Sequence, residues 1–132
     1  MTTHIEAASP HIIALDCDYV LNHAGGDPEL LMQLCRTFLD ELPLRMVQLH
    51  SAIADRDLHR AGCALLQLQS CIMVFDSGHA SVTAERLENA IRDRRSRQVQ
   101  RQWARLEVQL RHLVPQVQRL MLEIAIPRTT VQ

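Results

Sequence analysis

Histidine and cysteine side chains can act as nucleophiles or hold a metal ion. The sequence of 132 residues contains 7 His and 4 Cys. Cys17, Cys35, Cys63 and Cys71 include no C-x-x-C pair, and structural zinc sites are built from such pairs. We therefore expect no metal site and no cofactor.

Charge and composition exclude several classes of partner. The formal net charge of -1 gives no overall field to attract nucleic acid or an anionic membrane surface. No apolar segment reaches membrane-spanning length without interruption by charge. The chain shows no leader with a basic start and an apolar run, so we expect reduced cysteines and a cytoplasmic protein.

Helix signals extend along most of the chain. Only four aromatic residues are present (Trp, Tyr and two Phe), so aliphatic side chains and Met must build the core, which suits helices better than sheets. Pro43 and Pro115 lie inside helical patterns; Pro43 should bend or split its helix, and Pro115 should kink the last one. The predicted helices run from about Asp16 to Ala24, Pro28 to Ala54, Asp57 to Phe75, Ala80 to Arg92 and Val99 to Ile124.

The last of these helices has a heptad seam, because its apolar residues alternate steps of four and three. They are Val99, Trp103, Leu106, Leu110, Leu113, Val117, Leu120 and Ile124. Such a helix can close a bundle or pair with another chain, and we favour the first role. The sequence predicts an all-α, up-and-down antiparallel four-helix bundle with a short N-terminal helix over residues 10–125. Residues 1–9 and 126–132 are predicted tails.

The helix around Ala61 to Ser77 differs from an ordinary surface helix. One face, with Leu65, Leu68 and Ile72, follows helical spacing and belongs to the core. The opposite face contains no Asp, Glu, Lys or Arg, and an uncharged second face is either buried or presented to a partner. Its residues are His59, Gly62, Cys63, Leu66, Gln69, Ser70 and Met73.

Three short motifs in the first half of the chain resemble a known family. The turn GGDPELL spans Gly25 to Leu31, the bend FLDELP spans Phe38 to Pro43, and the exit AIADRD spans Ala52 to Asp57. Together the segment Leu15 to Leu58 is similar to the opening of the histidine-containing phosphotransfer (HPt) domains of bacterial phosphorelays. This resemblance implies a four-helix bundle whose second long helix presents a phosphoacceptor histidine.

The family signature A-H-x-L-K-G-[SA] is changed at its chemical positions in this chain. By the resemblance, Leu66 stands at the phosphoacceptor His, Gln69 at the Lys, and Ser70 at the Gly. A Leu side chain has no lone pair with which to take a phosphoryl group, and neutral Gln69 cannot balance phosphoryl charge as Lys does. The resemblance therefore implies an HPt-like module without the transfer reaction, and not an enzyme.

We interpret the chain as a non-catalytic, pseudo-phosphotransfer module of two-component signalling. It would bind a receiver domain or a hybrid sensor kinase, as a monomer or weak homodimer, through His59, Cys63, Leu66, Gln69, Ser70 and Met73. One alternative is an active phosphotransfer protein that uses His59, which lies seven residues before Leu66 and about 20° away in helical angle. Another is a helical adaptor or oligomerisation protein outside phosphorelays.

A cluster of arginines joins the last two predicted helices. It comprises Arg92, Arg94, Arg95, Arg97 and Arg101. Such a cluster can contact nucleic acid or phosphate, but the nearby acids Glu85, Glu88 and Asp93 and the near-neutral total favour a solvated connection. We therefore expect no nucleic-acid partner.

Overall fold

The structure, a computed structural model, describes residues 20–22, 24–75 and 78–126, and this part of the chain is helical with no strand. Its long helices are α1 (Pro28–Ala54), α2 (Leu58–Ile72), α3 (His79–Arg92) and α4 (Ser96–Ala125). The all-α prediction is confirmed for these residues. Of the predicted N-terminal helix only its end is described, where residues 20–22 are helical and Val20 is buried. The predicted tail 1–9 and residues 127–132 lie outside the described residues.

The start of α1 follows the signals in its sequence. The Asp27 carboxylate accepts hydrogen bonds from the backbone N–H groups of Glu29 (3.0 Å) and Leu30 (3.3 Å), and Pro28 occupies the first turn. Before it, Gly25 and Gly26 have φ of 72° and 76°, a left-handed conformation that suits glycine. This turn ends the preceding helical residues and sets the direction of α1.

The two internal prolines do not split their helices. Pro43 lies within the continuous α1 and Pro115 within the continuous α4. Of the two outcomes expected at Pro43, the split does not occur, and the bends expected at the two prolines stay predictions. Each proline removes one backbone donor and leaves the carbonyl four residues earlier without its partner. Both prolines are exposed, so water can reach the side of the helix on which that carbonyl lies.

Helix α2 ends at Ile72, three residues before the predicted end at Phe75. The Phe75 N–H donates to the carbonyl of Ile72 at 3.1 Å, an i to i+3 bond that tightens the chain into a turn. This turn directs Phe75 into the core, where it is 2% exposed and its ring lies 5.1 Å from that of Phe38.

The long helices enclose one apolar core. Helix α1 packs against α2 and α4, and α3 packs against the same two helices. Contacts run in opposite directions along α1 and α2: Ser51 meets Arg60, Arg45 meets Gln67, and Phe38 meets Phe75 in the turn after α2. Helices α1 and α2 are therefore antiparallel. The largest fully buried side chains are Phe38, Leu31, Leu42, Leu49, Leu65, Leu68, Ile72, Leu87, Leu106, Leu110, Val20 and Val117.

The links after α1 and α3 close their helices in the same way. Asp57 N–H bonds to Ala52 O and Arg56 N–H to Ile53 O, each at 3.0 Å. Arg95 N–H bonds to Ala90 O at 3.0 Å, and Arg94 N–H to Ile91 O at 3.1 Å. This is the Schellman pattern, which places its central residue in the left-handed region, usually as glycine. Here that residue is Arg56 or Arg94, each with φ of 57°.

Arg94→Gly should raise the free energy of unfolding by about 1 kcal/mol, because glycine adopts positive φ without the Cβ strain that arginine bears. Urea unfolding followed by circular dichroism measures the change. The matched control is Arg105→Gly in the exposed interior of α4, which should lower the free energy of unfolding by about 1 kcal/mol. Equal destabilisation by both substitutions would contradict strain at Arg94.

The heptad seam of α4 faces the core, as predicted, and one of its residues makes a polar contact across the bundle. Trp103 is 4% exposed, and its indole Nε1 donates to Nδ1 of His50 on α1 at 3.1 Å. The rings are 6.2 Å apart. His50 is exposed, yet it also satisfies the one polar group of the buried indole.

His50→Leu should lower the free energy of unfolding by about 1–3 kcal/mol, because the part-buried indole N–H of Trp103 loses its acceptor. Thermal or urea unfolding monitored by Trp103, the single Trp of the chain, gives the value. His59→Leu removes an exposed imidazole and should change stability by less than about 0.5 kcal/mol. If the two variants had the same free energy of unfolding, the hydrogen bond between Trp103 and His50 would not contribute to stability.

Candidate functional site

Helix α2 divides sharply into a buried and an open face. Its buried residues are Ala61, Ala64, Leu65, Leu68 and Ile72. On the opposite side His59, Cys63, Leu66, Ser70 and Met73 are exposed, and Gln69 is half-buried. The fold therefore brings the predicted docking residues together on one face, which from His59 to Met73 is about 21 Å long. We call these six residues the α2 face.

The α2 face has no formal charge. The sequence of α2 contains one residue with a formal charge, Arg60. Its side chain points away from this face. Its guanidinium donates to the Asp55 carboxylate at 2.9 Å and to the Ser51 hydroxyl at 3.2 Å, and lies 3.7 Å from Asp57. Arg60 thus joins α2 to the link and to α1, leaving uncharged side chains outside.

Two large apolar side chains dominate the α2 face. Leu66 is 60% exposed and Met73 is 68% exposed. They are separated by two helical turns, about 10 Å along the axis. Covering a side chain of this size is worth about 1.5–3 kcal/mol, so a partner that buried both would gain a substantial apolar contact.

The surroundings of Leu66 are compact. The Ser70 hydroxyl donates to the Leu66 carbonyl at 3.3 Å, so it stays against its own helix. Gly62, one turn before Leu66, has no atom within 4 Å of the position where a Cβ would stand. Alanine would fit there and is the better helix former by about 1 kcal/mol. Because glycine has no side chain, nothing projects from the helix one turn before Leu66.

The α2 face contains one imidazole, that of His59, and no Lys or Arg side chain. His59 is exposed, and no described residue hydrogen-bonds or ion-pairs with its side chain. A phosphoryl acceptor works beside cations or oriented donors that balance the transferred charge, and Arg60 is engaged elsewhere. Among the described residues no group of three or more His, Cys, Asp or Glu could hold a metal ion.

A groove beside the α2 face was missed by the sequence analysis. It measures about 280 Å³ and lies between α1 and α2, with Glu41, Arg45, Gln67 and Cys71 among its lining residues. Arg45 bonds to Gln67 at 2.7 Å and lies 3.7 Å from Glu41. Burial, and then the negative charge of Glu41, raise the pKa of the Cys71 thiol, while Arg45 acts in the opposite direction. Glu41 and Arg45 are four residues apart on α1, but they meet Gln67 and Cys71 only when α1 and α2 pack, so no local pattern predicts the groove.

Comparison with known proteins gives no relative from which a function can be transferred. No family model matches the chain, and neither the curated proteins nor the solved structures give a match. The resemblance to HPt domains thus remains a prediction from the motifs. Within the described residues, no helix is both long enough and apolar enough to cross a membrane.

The accessibility of the α2 face can be measured through its own thiol. In a Cys17→Ser background at neutral pH, Cys63 should react with a thiol reagent at least about tenfold faster than Cys71. Cys63 is exposed, whereas Cys71 is half-buried and its raised pKa lowers the reactive thiolate fraction. Raising the pH should speed the reaction of Cys71. Peptide mapping by mass spectrometry assigns the rates, and a protected Cys63 would mean that the face is covered.

Proposed function

We propose that this chain is a non-catalytic, HPt-like module that binds a receiver domain or a hybrid sensor kinase of a two-component system through the α2 face. The observation that carries the proposal is Leu66. It occupies the position of the phosphoacceptor in the motif alignment, and it is 60% exposed in the middle of an uncharged helix face. Under this proposal the chain keeps the docking surface of an HPt domain but has lost the histidine that accepts the phosphoryl group.

The packing order of the helices supports an HPt-like arrangement. Links of three residues, 55–57 and 93–95, separate α1 from α2 and α3 from α4, and helices joined so closely pack as antiparallel neighbours. Each helix also packs on the next in the chain, and α4 packs back on α1. We propose that the helices alternate up and down around the core, which places the α2 face on the outside of the bundle.

The composition of the α2 face supports binding over transfer. Interfaces are depleted of charge at their centre and enriched in Met and aromatic side chains, and here Leu66 and Met73 lie among the uncharged residues Cys63, Gln69 and Ser70. A bound receiver would meet no nucleophile at Leu66. The module would therefore compete with, sequester or scaffold the receiver without taking its phosphate.

Replacing Leu66 and Met73 together by Asp should weaken receiver binding by at least about tenfold, since two buried apolar contacts become desolvated carboxylates. A panel of phosphorylated receiver domains is used, and complex formation is followed by calorimetry while label transfer is followed in parallel. Helical content by circular dichroism should stay unchanged, because both side chains are exposed.

The matched control is Leu44→Asp with Val47→Asp. Leu44 and Val47 are 55% and 65% exposed on α1, so this variant makes the same chemical change on another helix and should bind as the original chain does. Equal binding by the Leu66/Met73 variant and the original chain would refute the α2 face as the docking surface.

His59 supports a second candidate function, an active phosphotransfer protein with a displaced acceptor. It is exposed on the α2 face, about 10 Å along the helix from Leu66. In the same assay, an acid-labile label that disappears in His59→Ala would establish this function in place of the first. If the panel neither binds nor transfers while the chain self-associates, the adaptor role outside phosphorelays becomes the better description.

A further inference from the structure

One end of the bundle gathers arginines from distant parts of the sequence. The link between α1 and α2 contributes Arg56, and the link between α3 and α4 contributes Arg94 and Arg95, followed by Arg97 in the first turn of α4. The α1–α2 link and the start of α4 line a groove of about 280 Å³, whose lining includes Arg56, Arg97, Ile53, Leu58 and Val99. We call this groove and its rim the link-end groove.

The positive charge at this end is not neutralised within the described part of the chain. Arg56, Arg94, Arg95, Arg97 and Arg101 are exposed and form no ion pair with any described residue. The nearby carboxylates of Asp55 and Asp57 pair with Arg60, and that of Glu88 pairs with Arg92. Of the acids near the α3–α4 link, Glu85 and Asp93 form no ion pair with a described residue. A local excess of positive charge therefore sits on a chain whose net charge is -1.

Two of these arginines occupy strained positions. Arg56 and Arg94 are the described non-glycine residues with positive φ, a conformation that is about 1–2 kcal/mol less favourable for residues with a Cβ. Glycine would close the same turns without this strain. The arginine side chains thus add charge at the two positions where the backbone would be more stable without a side chain.

The base of the link-end groove is apolar, which narrows the class of ligand. Ile53 is 4% exposed and Val99 is 2% exposed, with Leu58 half-buried beside them. Sequence-independent binding of single-stranded nucleic acid relies on aromatic side chains that stack on bases, and none of the described residues that line this groove is aromatic. An apolar base with a cationic rim instead complements a peptide that carries both carboxylates and an aliphatic side chain.

We propose that the link-end groove binds an acidic peptide segment of a partner protein. An aliphatic side chain of the peptide enters between Ile53, Leu58 and Val99, while its carboxylates pair with Arg56 and Arg97. This site is separate from the α2 face and does not depend on the function proposed for it. It gives the bundle a second contact through which a partner can be recognised by charge.

The first test uses a short fluorescein-labelled peptide that repeats Glu-Glu-Leu, with fluorescence anisotropy as the readout. A peptide that repeats Gln-Gln-Leu keeps the aliphatic groups and removes the charge. At low salt the acidic peptide should bind at least about tenfold more tightly than the neutral one, and added salt should reduce the difference. Equal affinity for the two peptides overturns the proposal.

The second test locates the peptide. Arg56→Glu with Arg97→Glu should weaken binding of the acidic peptide by at least about tenfold. The matched control, Arg36→Glu with Arg119→Glu, makes the same change in net charge at exposed positions. Arg119 lies about 33 Å along α4 from Arg97, so this control should bind the peptide with less than about a threefold loss.

The remaining outcomes also decide between ligands and sites. A single-stranded oligonucleotide of similar length is tested in the same way. If it binds more tightly than the peptide, and if the Arg56→Glu, Arg97→Glu variant loses that binding, the groove binds nucleic acid and the peptide proposal is overturned. If both charge-reversed variants lost the same affinity for the acidic peptide, the peptide would be attracted by the overall charge of the protein, and the link-end groove would not be its binding site. The Leu66→Asp, Met73→Asp variant should keep full peptide affinity, which separates this proposal from the function of the α2 face.

Discussion

The apolar stripe of α2 has to be buried against two helices at once, and the arrangement of the bundle depends on this requirement. Leu65, Leu68 and Ile72 are at most 1% exposed, and α2 packs on both α1 and α3. Helix α4 then covers the remaining sides of α1 and α3 with its heptad seam. A helix of 15 residues held on two sides has only its outer face left, which fixes where a partner can reach it.

Charge is distributed unevenly over the surface that remains. The outer face of α2 has none, whereas the link end carries arginines without ion-pair partners in the described part of the chain. Arg60 connects the two regions, because its bonds to Asp55 and Asp57 use the carboxylates that would otherwise neutralise the links. The same interaction that anchors the start of α2 therefore leaves Arg56 without a carboxylate partner among the described residues. Leu66 has no charged neighbour on its helix because the sequence of α2 contains no charged residue other than Arg60.

Local rules predicted the helices well where one force dominates. The Asp27 and Pro28 start, the buried stripe of α2 and the seam from Val99 to Leu120 are all present, because period and capping act within a few residues. The errors occur where two forces compete. Pro43 was expected to bend or split α1, and the split does not occur: α1 is continuous, with buried residues before and after Pro43. Phe75 was placed at the end of α2, but α2 ends at Ile72 and the turn that follows brings Phe75 against Phe38.

The sequence by itself determined the helices, their apolar faces and the uncharged side of α2, since these follow from residue type and a period of 3.6. It also showed that Leu66 cannot accept a phosphoryl group, because that depends on the side chain alone. Only the tertiary structure decided that Trp103 bonds to His50, that Cys71 shares a groove with Glu41, and that Arg56 joins the distant arginine cluster. Those contacts depend on how helices that are far apart in the sequence pack together, and the spacing of residues within one helix does not encode that packing.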